Sequence, residues 1–99
     1  MIMNITLPIE PFNTYTREGT VGPLMGKILE ETKPEHVYFT EQNGNRGVLM
    51  IVEVEDASKI PALAEPWYLN FEADIEYRIA MTPEDLHKAD LDTIGKKWK

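Results

Sequence analysis

His36 and Tyr38 lie two residues apart, the spacing that puts both side chains on one face of a β-strand. An imidazole beside a phenol is a combination that can move protons. Glu53 and Arg78 are expected on the same sheet face, which would add an ion pair to orient a general acid or base. The same four residues also suit a second role, as partly buried polar groups that hydrogen-bond one another across a subunit interface. A metal site needs three or four converging ligands, and the chain offers only two histidines, His36 and His87, so no metal is expected.

A second cluster is aromatic. Trp67, Tyr68, Asn70 and Phe71, with Tyr15 and Tyr77, could line a cleft between helices and sheet that takes a small aromatic or apolar molecule. Large side chains are equally needed to seal the junction between a helix and the last strand, which makes core packing the competing reading. Arg46, placed opposite Glu41 by the turn between them, reads as a cross-strand ion pair. No phosphate loop, nucleophile elbow or paired-carboxylate motif is present.

Length and charge narrow the options further. At 99 residues the chain is one domain, and a domain of this size gains from association because much of its surface stays exposed. Ten basic residues against seventeen acidic ones give a net charge of −7, which repels phosphate backbones, so nucleic acid is not expected as a partner. Cysteine is absent, which removes disulfides and thiolate chemistry together. The opening residues MIMNITLPIEPF form no export leader, and no apolar run approaches the ~20 residues of a membrane helix, so a cytoplasmic protein without membrane contact is expected. Asn4-Ile5-Thr6 matches a glycosylation sequon, but it falls within a predicted strand and is read as chance.

The elements that must position these residues follow from periodicity. The stretch from His36 to Val54 is a hairpin about Asn43-Gly44, the pair best suited to the two positive φ angles of a type I′ turn. That turn sets Glu41 opposite Arg46, Phe39 opposite Val48, Tyr38 opposite Leu49 and His36 opposite Ile51. One face then carries Val37, Phe39, Val48, Met50, Val52 and Val54, and the other His36, Tyr38, Thr40, Leu49, Ile51 and Glu53. Residues 1–9 alternate as a first strand. A helical region after Pro11 breaks near Gly19 and restarts with Pro23 in its first turn, presenting Val21, Leu24, Met25, Ile28 and Leu29 on one face until Pro34 ends it. Ser58 is the expected cap of the next helix and Pro66 its expected end, which leaves Trp67 to Phe71 as a linker into a strand over 73–81. Thr82-Pro83-Glu84-Asp85 is a helix start with a capping box, and Asp90 can cap a second short helix after it.

Strand, helix, strand, strand, helix, strand, helix is the ferredoxin-like order: an α+β fold with a four-stranded antiparallel sheet and helices on one face. Leu49 and Ile51 on the opposite face would be poorly placed in water. A second copy packed sheet to sheet would cover them, so a homodimer is expected.

The Pro34 to Thr40 stretch, the Arg46-Gly47 strand start, the run Ile60-Pro61-Ala62-Leu63-Ala64-Glu65-Pro66 and Met81-Thr82-Pro83-Glu84-Asp85-Leu86 together resemble a small bacterial family of unknown function in the dimeric α+β barrel superfamily. That superfamily includes cofactor-free quinone-forming monooxygenases, muconolactone isomerases, haem-degrading enzymes and ligand-binding members, so the resemblance implies the fold and the dimer and leaves the function open. Its haem enzymes generally carry the ligand on a helix, whereas His36 is on a strand, and no cofactor is expected. Two small-molecule functions remain, beside a purely structural role in a larger assembly that needs no pocket: a small-molecule-binding or accessory domain, and a cofactor-independent monooxygenase or isomerase acting on an aromatic or polyketide-like molecule. For either, the candidate site is His36, Tyr38, Trp67, Asn70 and Arg78. In the enzyme, His36 and Tyr38 would move protons, Trp67 would stack on the substrate, and Asn70 and Arg78 would hold an oxyanion.

Overall fold

A computed structural model describes residues 1–99, in the order β1 (Ile2–Leu7), α1 (Ile9–Glu18), α2 (Val21–Thr32), β2 (His36–Gln42), β3 (Asn45–Ile51), α3 (Ile60–Phe71), β4 (Asp74–Arg78), α4 (Pro83–Lys88) and α5 (Leu91–Lys97). The four strands form one antiparallel sheet in the order β2-β3-β1-β4, which is the ferredoxin-like arrangement. The turn chemistry sets the hairpin. Asn43 and Gly44 adopt φ of 53° and 84°, and the register pairs His36 with Ile51, Tyr38 with Leu49, Phe39 with Val48 and Glu41 with Arg46, as expected.

Alternation along each strand then builds the core. Met3, Ile5 and Leu7 of β1 and Val48 and Met50 of β3 point to the helix side and are buried, joined by Val52, by Ile28 of α2, and by Ala64, Trp67 and Phe71 of α3.

Three elements differ from the sequence reading. Helix α3 runs through Pro66 to Phe71. A proline there withdraws the amide that the Ala62 carbonyl would accept, at a cost of about 3 kcal/mol. Ending the helix would instead expose Trp67 and Phe71, both fully buried on its inner face, each contributing roughly 1.5–3 kcal/mol of burial. Burial wins. Ser58 does not cap α3, whose N-cap position is Lys59 with no side-chain bond; instead the Asp56 carboxylate accepts the Ser58 amide at 2.9 Å and caps a short 3₁₀ turn over Ala57–Lys59 that leads into the helix. Strand β4 is shorter than the alternation predicted. Arg78 pairs with Ile2, the first residue of β1, and Met1 before it spends its amine and carbonyl on Val52, so neither is offered to the chain beyond Arg78, and Ile79 and Met81 stand in solvent.

The C-terminal pair of helices is built locally. In α4 the Thr82 hydroxyl accepts the Asp85 amide at 3.0 Å while the Asp85 carboxylate accepts the Thr82 amide at 3.1 Å, completing the capping box. Asp90 caps α5 through Thr93, whose hydroxyl it accepts at 2.6 Å.

Candidate functional site

The open face of the sheet is ordered in rows across the strands. His36, Ile51, Ile2 and Arg78 form one row, and Tyr38, Leu49, Asn4 and Glu76 the next. His36 and Tyr38 are therefore neighbours, with rings 6.5 Å apart and nearly parallel at 11°. Arg78 lies in the same row as His36 but at the far edge of the sheet. Three strand spacings separate them, roughly 14 Å, with Ile51 and Ile2 between. The central strands thus bring Ile2, Leu49 and Ile51 together beside one polar residue, Asn4, with further polar groups at both edges, and Tyr38 is left 55% exposed.

Trp67 and Asn70 lie on the other side of the sheet. Trp67 has no exposed surface, and its ring stacks 6.0 Å from that of Phe71, which also meets Phe12 at 5.6 Å and Tyr15 edge-on at 5.7 Å. These are core contacts. The Trp67 indole N–H has no acceptor. Asn70 is occupied locally, its side-chain amide donating to the Pro66 carbonyl at 2.8 Å, while its own carbonyl accepts the Tyr15 hydroxyl at 2.9 Å and ties α1 to α3. The Tyr68 and Tyr77 hydroxyls meet at 2.6 Å and link α3 to β4, and desolvation with that hydrogen bond pushes the Tyr77 phenol up to about 12. The five residues His36, Tyr38, Trp67, Asn70 and Arg78 therefore occupy three separate places: two at one edge of the open face, one at its other edge, and two within or beside α3.

A cleft of about 500 Å³ opens instead on the helix side, near the hairpin turn, with Leu7, Phe12, Val21, Met25, Phe39 and Arg46 in its lining. Its origin is a shortage of cover. Phe39 belongs to the apolar face of β2, but α2 passes it with glycine at position 22, and the chain breaks between α1 and α2 at Gly19, so Phe39 remains 60% exposed. Arg46 sits at the mouth. Its guanidinium lies 4.2 Å from the centroid of the Phe12 ring, a cation–π contact worth about 0.5–1 kcal/mol at an exposed site.

The expected ion pair between Arg46 and Glu41 is not formed. The Glu41 carboxylate turns back to accept the Gly44 amide at 2.9 Å in the turn, and the chain's ion pair joins Lys88 to Glu84 at 3.8 Å. Arg46 is left as a positioned cation without a carboxylate partner.

Phe12, Val21, Met25, Phe39 and Arg46 were not read as a site from the sequence. The signal was present in the wholly apolar hairpin face, which runs to the turn while the helix meant to cover it carries Gly22 and Gly26. No group of three His, Asp or Glu side chains converges to hold a metal ion, and no helix is long and apolar enough to cross a membrane. Neither the family models nor the curated proteins contain a match to this chain.

Proposed function

We propose that this chain is a homodimeric small-molecule-binding protein of the dimeric α+β barrel kind, and that its ligand is an apolar or aromatic molecule carrying an acidic group. Arg46 carries the reading: a guanidinium held over Phe12 at the mouth of an apolar cleft, with its nearest sequence-paired carboxylate engaged elsewhere. An apolar body would lie against Phe39, Leu7 and Met25, and its carboxylate would take the charge-assisted hydrogen bonds that the guanidinium fork offers. The dimer rests on the open face, where Ile2, Leu49 and Ile51 form an apolar strip that a second sheet, packed at about 10 Å, would cover. The enzymatic alternative is less well supported, because His36 and Tyr38 are separated from Arg78 by the width of the sheet and from Trp67 and Asn70 by its thickness.

The test is a titration of isotope-labelled protein with naphthoate, with the neutral naphthalene-methanol as control, followed by amide resonances. Saturable shifts are expected at Phe12, Met25, Phe39 and Arg46. In Arg46→Gln, naphthoate affinity should fall about tenfold or more while the alcohol is little affected, since a hydrogen bond to a charged group is worth roughly 1.5–3 kcal/mol. Equal binding of acid and alcohol, or shifts centred elsewhere, would refute the assignment.

A further inference from the structure

The C-terminal arm, residues 79–99, is the part of the molecule that its own fold leaves without a partner. Every residue from Glu76 onward is exposed, among them Ile79 at 96%, Met81 at 66%, Leu91 at 58% and Trp98 at 78%. The Cα radius of gyration is 17.2 Å and the longest dimension 61 Å, whereas a compact domain of this length has a radius near 13 Å. The arm stands away from the body.

Its two helices have six and seven residues, well below the ~12 needed for a helix to persist in water on local interactions alone, yet each is capped by a side chain at its N-terminus. Leu91, Ile94 and Trp98 recur at i, i+3 and i+7 and form one narrow apolar stripe along α5. Such a stripe on a short capped helix is the pattern of a segment that lies in a groove.

We propose that the arm of one protomer docks on the body of a second copy, with α5 seated in the groove between α2 and α3. That groove has a volume of about 400 Å³, its floor includes Leu24, Ile28 and Pro66, and Leu69 stands beside them 78% exposed. Glu31 and Glu65 flank it, with Lys27 as the one basic residue of its lining. Charge selects both the occupant and the seat. Residues 1–78 hold thirteen acidic and six basic side chains, whereas the arm from 79 to 99 holds four of each, with Lys96, Lys97 and Lys99 gathered at its tip. The lysine tip of the arm is attracted to a groove in which Glu31 and Glu65 outweigh Lys27, and it is repelled from the cleft that carries Arg46. The arm also begins where the proposed sheet interface ends. Ala80, Met81 and Thr82 share a cavity with Ile2 and Ile51 of the open face, so a copy packed on that face meets the root of the arm. The inference rests on the proposed dimer for its second copy, and on the arm and groove for where that copy is held.

The absence of cysteine allows a single reporter. Unlabelled Ala89→Cys protein carrying a nitroxide is mixed with isotope-labelled native chain, and light scattering on the same sample gives the mass; Ala89 is exposed between the two helices and belongs neither to the apolar stripe nor to the lysine tip. Expected are a dimer and intermolecular broadening of amides in residues 24–31 and 65–70 of the labelled chain. In Leu91→Ser with Ile94→Ser, that broadening should be lost and the dimer dissociation constant should rise about tenfold or more, as expected when two half-buried apolar side chains are removed. A dimer without broadening at the groove overturns the arm's seat and leaves the sheet-face dimer standing. Broadening confined to the spin-labelled chain itself, seen when that chain is the isotope-labelled one, means the arm folds onto its own body and also overturns the proposal. A monomer overturns both readings.

Discussion

Replacing Phe71 with alanine tests whether the aromatic cluster on α3 is core or ligand cleft. Phe71 has no exposed surface and its ring meets Phe12, Tyr15 and Trp67 at 5.6, 5.7 and 6.0 Å. Truncation of a buried phenylalanine costs about 3–5 kcal/mol, through lost burial and the cavity left behind. Three ring partners anchored on two helices cannot collapse freely into that cavity, so about 4 kcal/mol is the expected loss. A chain of this length has a total stability of roughly 5–15 kcal/mol, so the variant should fold but marginally. Urea unfolding followed by fluorescence measures it. Trp98 is 78% exposed, so a Trp98→Phe background leaves buried Trp67 as the sole reporter. With a slope near 1.5 kcal/mol per molar urea, the midpoint should fall by about 2.5 M, whereas Phe71→Leu, which keeps most of the volume, should lose less than about 1.5 kcal/mol. A loss below about 1 kcal/mol for Phe71→Ala would refute the core assignment. It would return Trp67 and Phe71 to the lining of a ligand site.

Three further outcomes follow from the same contacts. Gly44→Ala forces an L side chain into φ of 84° and should destabilise the hairpin by about 1–2 kcal/mol, read as a lower urea midpoint, whereas Gly22→Ala, with open space where its Cβ would lie, should cost far less. Because burial and Tyr68 raise the Tyr77 phenol from 10.0 to about 12, the folded state holds that proton more tightly. The stability it contributes is intact below pH 10 and lost as pH rises towards 12, and in Tyr68→Phe the last step of the phenol absorbance titration should move down. Asp85 shifts the other way, its carboxylate held below the usual 3.8 by the Thr82 hydrogen bonds, so the capping box is intact above about pH 4 and lost on further acidification. The Thr82 amide resonance should shift over that range and stay still in Asp85→Asn.

What the sequence disclosed is what local chemistry decides. Asn43-Gly44 determined one turn, the turn determined a register, and the register sorted every hairpin side chain between two faces. Thr82 to Asp85 determined a helix start in the same way. Where tertiary contacts outweigh local preference, the reading went astray. Pro66 is a helix terminator by its own geometry, and only the burial of Trp67 and Phe71 carries the helix through it. The alternation of Ile75, Tyr77, Ile79 and Met81 is a fair strand pattern, but a strand needs a neighbour, and past Ile2 the backbone groups of Met1 are taken by Val52. Arg46 and Glu41 are opposite one another as deduced, yet the Gly44 amide lies closer at hand for the carboxylate. The cleft went unread for a related reason: it is formed by cover that α2 fails to supply, and missing cover is visible only once the helices are laid on the sheet.

The proposed pairing of two copies and the proposed acidic apolar ligand of the cleft beside Arg46 are open to a single measurement. Native mass spectrometry of freshly purified protein reads both at once. The expected spectrum is a dimer of twice 11.4 kDa, with a population carrying the added mass of a small organic acid that disappears in Arg46→Gln. A bare monomer at 11.4 kDa under conditions that preserve other dimers would contradict the assembly, and retained mass that persists in Arg46→Gln would contradict the site.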